Sequence, residues 1–133
     1  MGIFSRDDDE GRGNFNNYRY DLAPKNKRVT ITLAGSDPHQ DEIARVAASG
    51  HERIETFIAK RTVEEERTDA PLVVRFFVDS RMSQPVGYAP RGLESIVLET
   101  LSRIEGGRAS RIPARIVTRS GRLRVELMMG ETL

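Results

Sequence analysis

The sequence predicts an α+β domain: a mainly antiparallel sheet or small open barrel with two helices, in the order β-α-β-β-β-α-β-β. Three observations predict it. The chain has 133 residues, enough for one core that buries roughly two-thirds of the unfolded surface. Apolar and polar residues alternate in Arg28–Leu33 and on both sides of Ser120-Gly121, the period of half-buried strands. Two other segments carry apolar residues at helical spacing and end in glycine.

Residues 1–26 read as a flexible polar arm. The stretch from Ser5 to Asn17 is rich in Asp, Gly and Asn and has no period, so it buries too little to offset its ordering entropy. It still holds Phe15, Tyr18 and Tyr20, three of the eight aromatic residues. These rings either dock on the domain, stay solvated, or form a recruiting segment with Arg12 and Arg19. Residues 27–133 form a single domain. Its first strand is Arg28–Leu33, with Val29, Ile31 and Leu33 on one face. A short helix follows, with Asp37 as cap, Pro38 in the first turn and Gln40 completing a capping box. Ile43, Val46 and Ala47 are its stripe, and Gly50 is its stop.

From Glu52 to Val63, β-branched and aromatic residues favour a strand, and Glu64–Ala70 is a charged connection. Leu72–Val78 is apolar on both faces, the mark of the most central strand. Phe76 and Ile116 are expected among the most buried side chains. Asp79–Pro85 reads as a loop and Val86-Gly-Tyr as a short strand. The second helix runs from Pro90 to Glu105, with Leu93, Ile96, Val97, Leu101 and Ile104 on one face. The closing hairpin, Arg111–Thr118 and Arg122–Met128, pairs Arg119 with Arg122 and Thr118 with Leu123.

Composition excludes several function classes. Cysteine is absent, which removes disulfides, thiolate metal sites and a cysteine nucleophile. Only His39 and His51 offer imidazole, and no spacing around them fits a metal, so neither metal nor cofactor is expected. There is no phosphate loop, nucleophile elbow or dinucleotide turn, and the chain is read as non-enzymatic. The net charge of +1 gives no global basic field. No apolar run fits a membrane span, and the acidic stretch Asp7–Glu10 fits no signal peptide. The expected location is the cytoplasm.

One local charge pattern stands out. Six arginines and no acid lie between Arg108 and Arg124. Alternation puts Arg111, Arg115, Arg119, Arg122 and Arg124, together with Glu126, on one hairpin face, where guanidinium forks can meet phosphates. The same face also reads as a solvated surface that discourages edge pairing.

The segment Val86-Gly-Tyr-Ala-Pro-Arg followed by an amphipathic helix resembles the second half of a HIRAN domain. Gly35-Ser-Asp-Pro-His-Gln-Asp resembles the segment after that family's first strand. Ile112-Pro-Ala-Arg-Ile-Val and Gly121-Arg-Leu-Arg-Val-Glu-Leu resemble its terminal hairpin. The likeness spans roughly residues 28–129. It departs at the family's N-P-x-D-x-N-A turn, where Glu64-Glu-Glu-Arg-Thr-Asp-Ala keeps only Asp69 and Ala70. The resemblance implies a HIRAN- or OB-like barrel that binds single-stranded DNA ends by stacking and polar contacts. It adds Tyr88, Arg91 and His39 to the hairpin arginines as nucleic-acid-binding residues. Tyr88 reads equally as a core residue under the second helix, with Gly87 allowing close approach. The function expected is a small binding module for single-stranded nucleic acid or another polyanion. The alternative is a protein-interaction or structural module without a nucleic-acid site.

Overall fold

The alternating segments form six strands. The structure, a computed structural model, describes residues 9–51, 54–104 and 111–132. Strand β1 (Ile31–Thr32) leads through a 3-10 turn (Asp37–His39) into α1 (Gln40–Ala48). Next come β2 (Ile54–Phe57), α2 (Val63–Arg67), β3 (Val73–Val78) and β4 (Arg81–Tyr88). Helix α3 (Glu94–Arg103) and the hairpin β5 (Arg111–Arg119)–β6 (Arg122–Leu127) complete the fold. The sheet is antiparallel throughout, in the order β1-β6-β5-β2-β3-β4. Its two ends then meet. Ala34, just beyond β1, and Tyr88 exchange N–H···O bonds of 2.8 and 2.9 Å. The result is the α+β open barrel that the sequence predicts.

Glycine makes that seam possible. Gly87 has φ 154°, and a Cβ there would stand 2.7 Å from the Ala34 carbonyl oxygen. Inside, Ile31, Leu33, Phe76, Val86, Val125 and Leu127 are fully buried. Ile43 and Val46 of α1, and Ile96, Val97 and Leu101 of α3, join the same core.

The closing hairpin has the expected register, Arg119 opposite Arg122 and Thr118 opposite Leu123. Other segments depart from expectation for physical reasons. The strand expected through Val63 stops at Phe57, and Glu52 and Arg53 lie outside the described residues. Thr62 instead caps α2: its hydroxyl accepts from the Glu65 N–H, and the Glu65 carboxylate accepts from the Thr62 N–H. This capping box outweighs the β preference of Val63, which is exposed. The charged connection is thus partly a helix.

Strand β3 is next to the end of the sheet, not its centre. Val74 and Phe76 are fully buried in the core, and Val78 on the same face packs against its margin. On the other face Phe77 lies under the Arg111 guanidinium, 3.9 Å from the ring centroid. An aromatic capped by a cation passes for a second buried face in the sequence. The loop expected at Asp79–Pro85 is mostly β4. Asp79 and Ser80, both at positive φ, make a two-residue hairpin turn. A bulge then masks the alternation, with Ser83 Oγ accepting from the Phe76 N–H at 2.9 Å. Ile116 is half-buried, packed against the margin of the core.

The first helix also starts differently. Gln40 does not complete a box with Asp37. Its amide nitrogen donates to Leu123 O and its amide oxygen accepts from Leu123 N–H, clamping α1 to β6.

Residues 1–8 of the expected arm lie outside the described residues, as does the Gly106-Gly107 stop of α3. Parts of residues 9–26 lie against the barrel, at Asp9, Arg12 and Tyr18. Arg12 and Thr32 exchange backbone hydrogen bonds of 3.0 and 2.9 Å, filling the rung of β1 beside the seam. Gly11 (φ 80°) is wedged so that a Cβ would meet Pro90 Cγ at 2.6 Å and Thr32 O at 2.7 Å. Tyr18 is buried, and burial pushes its hydroxyl up to about 12.

Phe76→Ala is expected to cost about 3–5 kcal/mol, the range for emptying a fully packed aromatic site. Chemical denaturation of the variant measures it. A loss below ~1 kcal/mol, the range of surface substitutions and not of emptied core sites, places the ring outside the core.

Candidate functional site

The hairpin face is the first candidate, and the fold itself has used most of its charge. Glu126 is buried on β6, opposite Arg115. Its Oε1 accepts from Arg115 Nε at 2.6 Å, and its Oε2 accepts from Arg119 Nη2. Arg119 also reaches the Thr32 hydroxyl at 3.4 Å. Arg111 stacks on Phe77 and stands 4.0 Å from Glu55. Arg122 is exposed and makes no ion pair among the described residues. Arg108 lies outside them.

Arg124 corrects the expected outward face. It is 1 % exposed, with Nη1 donating to Asp37 at 2.7 Å and to Asp9 at 3.5 Å. Asp9 arrives from the N-terminal segment, where its backbone carbonyl accepts from Gly35 N–H and its carboxylate from Asp37 N–H. Strict alternation predicts exposure here, but the segment around Asp9 lies over this end of the face. Four of the five hairpin arginines thus meet four carboxylates: Asp9, Asp37, Glu55 and Glu126. Such a face has little net field to attract a polyanion.

Tyr88 and Arg91 come together at the seam. The half-buried Tyr88 ring lies against Gly35, where a Cβ would stand 2.3 Å from Cε1. Tyr88, Arg91, Asp9, Glu10 and Ala34 line a cavity of about 450 Å³. Arg91 is held by Glu94 at 3.0 Å, by the Asp69 carboxylate at 3.3 Å and by the Asp69 carbonyl at 2.7 Å. The cavity is therefore acidic at one wall and holds its arginine in a structural pairing. His39 is not part of it. It precedes α1, half-buried, with its N–H on Ser36 O.

Sequence reasoning missed a second cleft. Between the end of α1 and the β3–β4 hairpin lies a cavity of about 520 Å³. Val46, Phe76, Val78 and Met82 supply its apolar wall, and Arg45, His51, Asp79 and Arg81 its polar rim. At the rim, His51 Nδ1 lies 2.7 Å from Ser49 Oγ and Nε2 lies 3.0 Å from Asp79 Oδ1. Such a hydroxyl–imidazole–carboxylate line belongs to nucleophilic catalysis only in the right surroundings. Here Ser49 Oγ donates to Val46 O at 2.5 Å, so its one proton is committed elsewhere. It stands at the C-terminal end of α1, among carbonyl oxygens that repel an oxyanion. Asp79 is largely exposed. The line ties α1 to the turn. No local motif announces it, because its carboxylate is 28 residues away from the histidine.

No family model, no curated protein and no solved structure matches the chain. Among the described residues, no cluster of His, Asp or Glu is placed to hold a metal ion. No helix among them is long and apolar enough to cross a membrane.

Beside the cleft, Glu42 joins α1 to β4. It accepts from Arg45 at 2.8 and 3.0 Å and from Gln84 N–H at 2.8 Å. The Arg45 hydrogen bond, then the Gln84 N–H, lower its carboxyl from 4.5 to about 2. A carboxyl depressed on folding stabilises the fold above its unfolded value and loses that contribution as pH falls. Glu42→Gln is therefore expected to lower the denaturation midpoint at neutral pH. The difference from the parent shrinks as pH falls from 4.5 towards 2. Denaturant titrations across that range check the sign.

Proposed function

We propose that this protein is a non-catalytic, cytoplasmic binding module whose partner is a protein and not a nucleic-acid backbone. The observation that carries this reading is the internal pairing of the hairpin arginines. A phosphate approaching Arg115 or Arg119 competes with a buried carboxylate already in place. The paired carboxylate already offsets the charge that would draw the phosphate in, although Arg115 commits only its Nε–H and Arg119 one N–H on each Nη. The lack of cysteine fits a reducing compartment.

The resemblance to HIRAN domains rests on the residues of its motifs. Val86-Gly-Tyr lies at the seam, and Arg91 of the same motif binds Asp69, the carboxylate kept from the family's turn. A second reading, binding of single-stranded ends, rests on the half-buried Tyr88 ring beside the seam cavity. Phe15, half-exposed, lines a neighbouring cavity that shares Glu10 and Arg91. Asp9 and Glu10 oppose phosphate there.

Titration of single-stranded and duplex oligonucleotides at ~50 mM salt, where phosphate contacts are strongest, decides between these. The parent is expected to show no saturable binding. Glu126→Gln, which frees Arg115 and Arg119, is expected to acquire weak binding that salt abolishes. Tight binding by the parent overturns the proposal. If Tyr88→Ala in folded form then loses ~1–3 kcal/mol for single strands alone, the second reading holds.

A further inference from the structure

Two outward features remain unused by this reading. One is a rigid knob. Tyr18 and Pro24 pair as a bridge, and between them the chain turns tightly. Arg19 N–H donates to Ala23 O and Leu22 N–H to Arg19 O, both at 2.9 Å, and Ala23 N–H donates to the Asp21 carboxylate at 3.2 Å. Leu22 sits at φ 62° and packs against the core beside buried Tyr18. Both anchors point in, and Tyr20 between them is fully exposed. A large ring on a pre-organised turn loses little entropy when it docks.

The other feature is the cleft of about 520 Å³ between α1 and β4. Its apolar wall includes Met82, itself more than half exposed. The free edge of β4 is already closed along most of its length. Gln84 N–H donates to Glu42, Val86 O accepts from the Ser36 hydroxyl, and Tyr88 pairs with Ala34. In a two-residue hairpin Val78 and Arg81 bond to each other, so Met82 offers the one open rung. An added strand finds almost nothing to pair with. A side chain does: the cleft is large enough for an aromatic ring and lined to receive one.

We infer that Tyr20 of one copy docks into this cleft on a second copy of the chain. This rests on the protein-binding reading and names the partner. Charge supports the match. Arg19 and Asp21 flank the ring; at the rim Arg45 is already held by Glu42, which leaves Arg81 to take Asp21 and the exposed Asp79, beside His51, to take Arg19. The hydrogen bonds of the turn between Tyr18 and Pro24 hold Tyr20 fully exposed on its own copy. Knob and cleft are different surfaces, so the contact is heterologous and extends head to tail unless a ring closes. One ring and its flanks make a small interface, and the association is weak and concentration-dependent.

Sedimentation of the full chain over a wide concentration range tests this. The mass is expected to rise from the 15.0 kDa monomer with concentration. Tyr20→Ala and Met82→Arg alter exposed positions and are expected to stay folded by circular dichroism. Each alone is expected to be monomeric, and Tyr20→Phe to associate like the parent. An equimolar mixture of Tyr20→Ala and Met82→Arg keeps one intact cleft and one intact knob. It is expected to form a 1:1 complex and stop there. A parent that stays monomeric, or a mixture that does not pair, overturns the inference and leaves the cleft to another ligand. Oligonucleotide binding by the parent overturns the protein-binding reading itself, whatever the sedimentation shows.

Discussion

The fold depends on one antiparallel bridge, between Ala34 and Tyr88. It joins the first and last strands of the sheet and turns an open sheet into a barrel. Everything around it serves close approach. Gly87 removes the Cβ that would strike the Ala34 carbonyl, and Gly35 gives room for the Tyr88 ring. Ser36 and Glu42 then bind the backbone of β4 just beyond the bridge. A sheet edge of this length is a hazard for aggregation, and here side chains from the helical side blunt it.

The second organising element is the buried carboxylate of Glu126. Two guanidiniums converge on it from the neighbouring strand, and Arg124 is matched nearby by Asp37 and Asp9. These pairs join the hairpin to the N-terminal segment and to the turn before α1. Removing both arginines would leave the buried Glu126 carboxylate alone, which costs far more than the pairs contribute, whereas removing Glu126 leaves two guanidiniums that reach solvent.

Much of the barrel was legible because its signals are local. The hairpin register follows from the apolar set Ile112, Ala114 and Ile116 against Leu123, Val125 and Leu127, which any slip would expose. Thr62-x-x-Glu65 was equally legible as a capping box, but the β-branched run before it drew the reading towards a strand. What could not be read depends on distance. The Asp37–Arg124 pair spans 87 residues, and the His51–Asp79 contact spans 28. The alternation that identified an arginine face also put Glu126 on it, but gave no sign of Asp9, Asp37 or Glu55. Ser83 and Pro85 hid most of β4, since a bulge breaks the period of two on which strand recognition rests.

The strap formed by Gly11, Arg12 and Gly13 has a consequence for how this molecule should be divided. Its composition marks it as dispensable, yet it completes the hydrogen bonding of β1 and carries the segment whose Asp9 reaches Arg124. A chain begun at residue 27 would keep all six strands and both larger helices. It would also bare the Thr32 rung and leave Arg124 with one acid fewer in a dry environment. Such a shortened protein would be a different physical object, with a sticky margin of its own making. Self-association measured on it would report the cut and not the native surface.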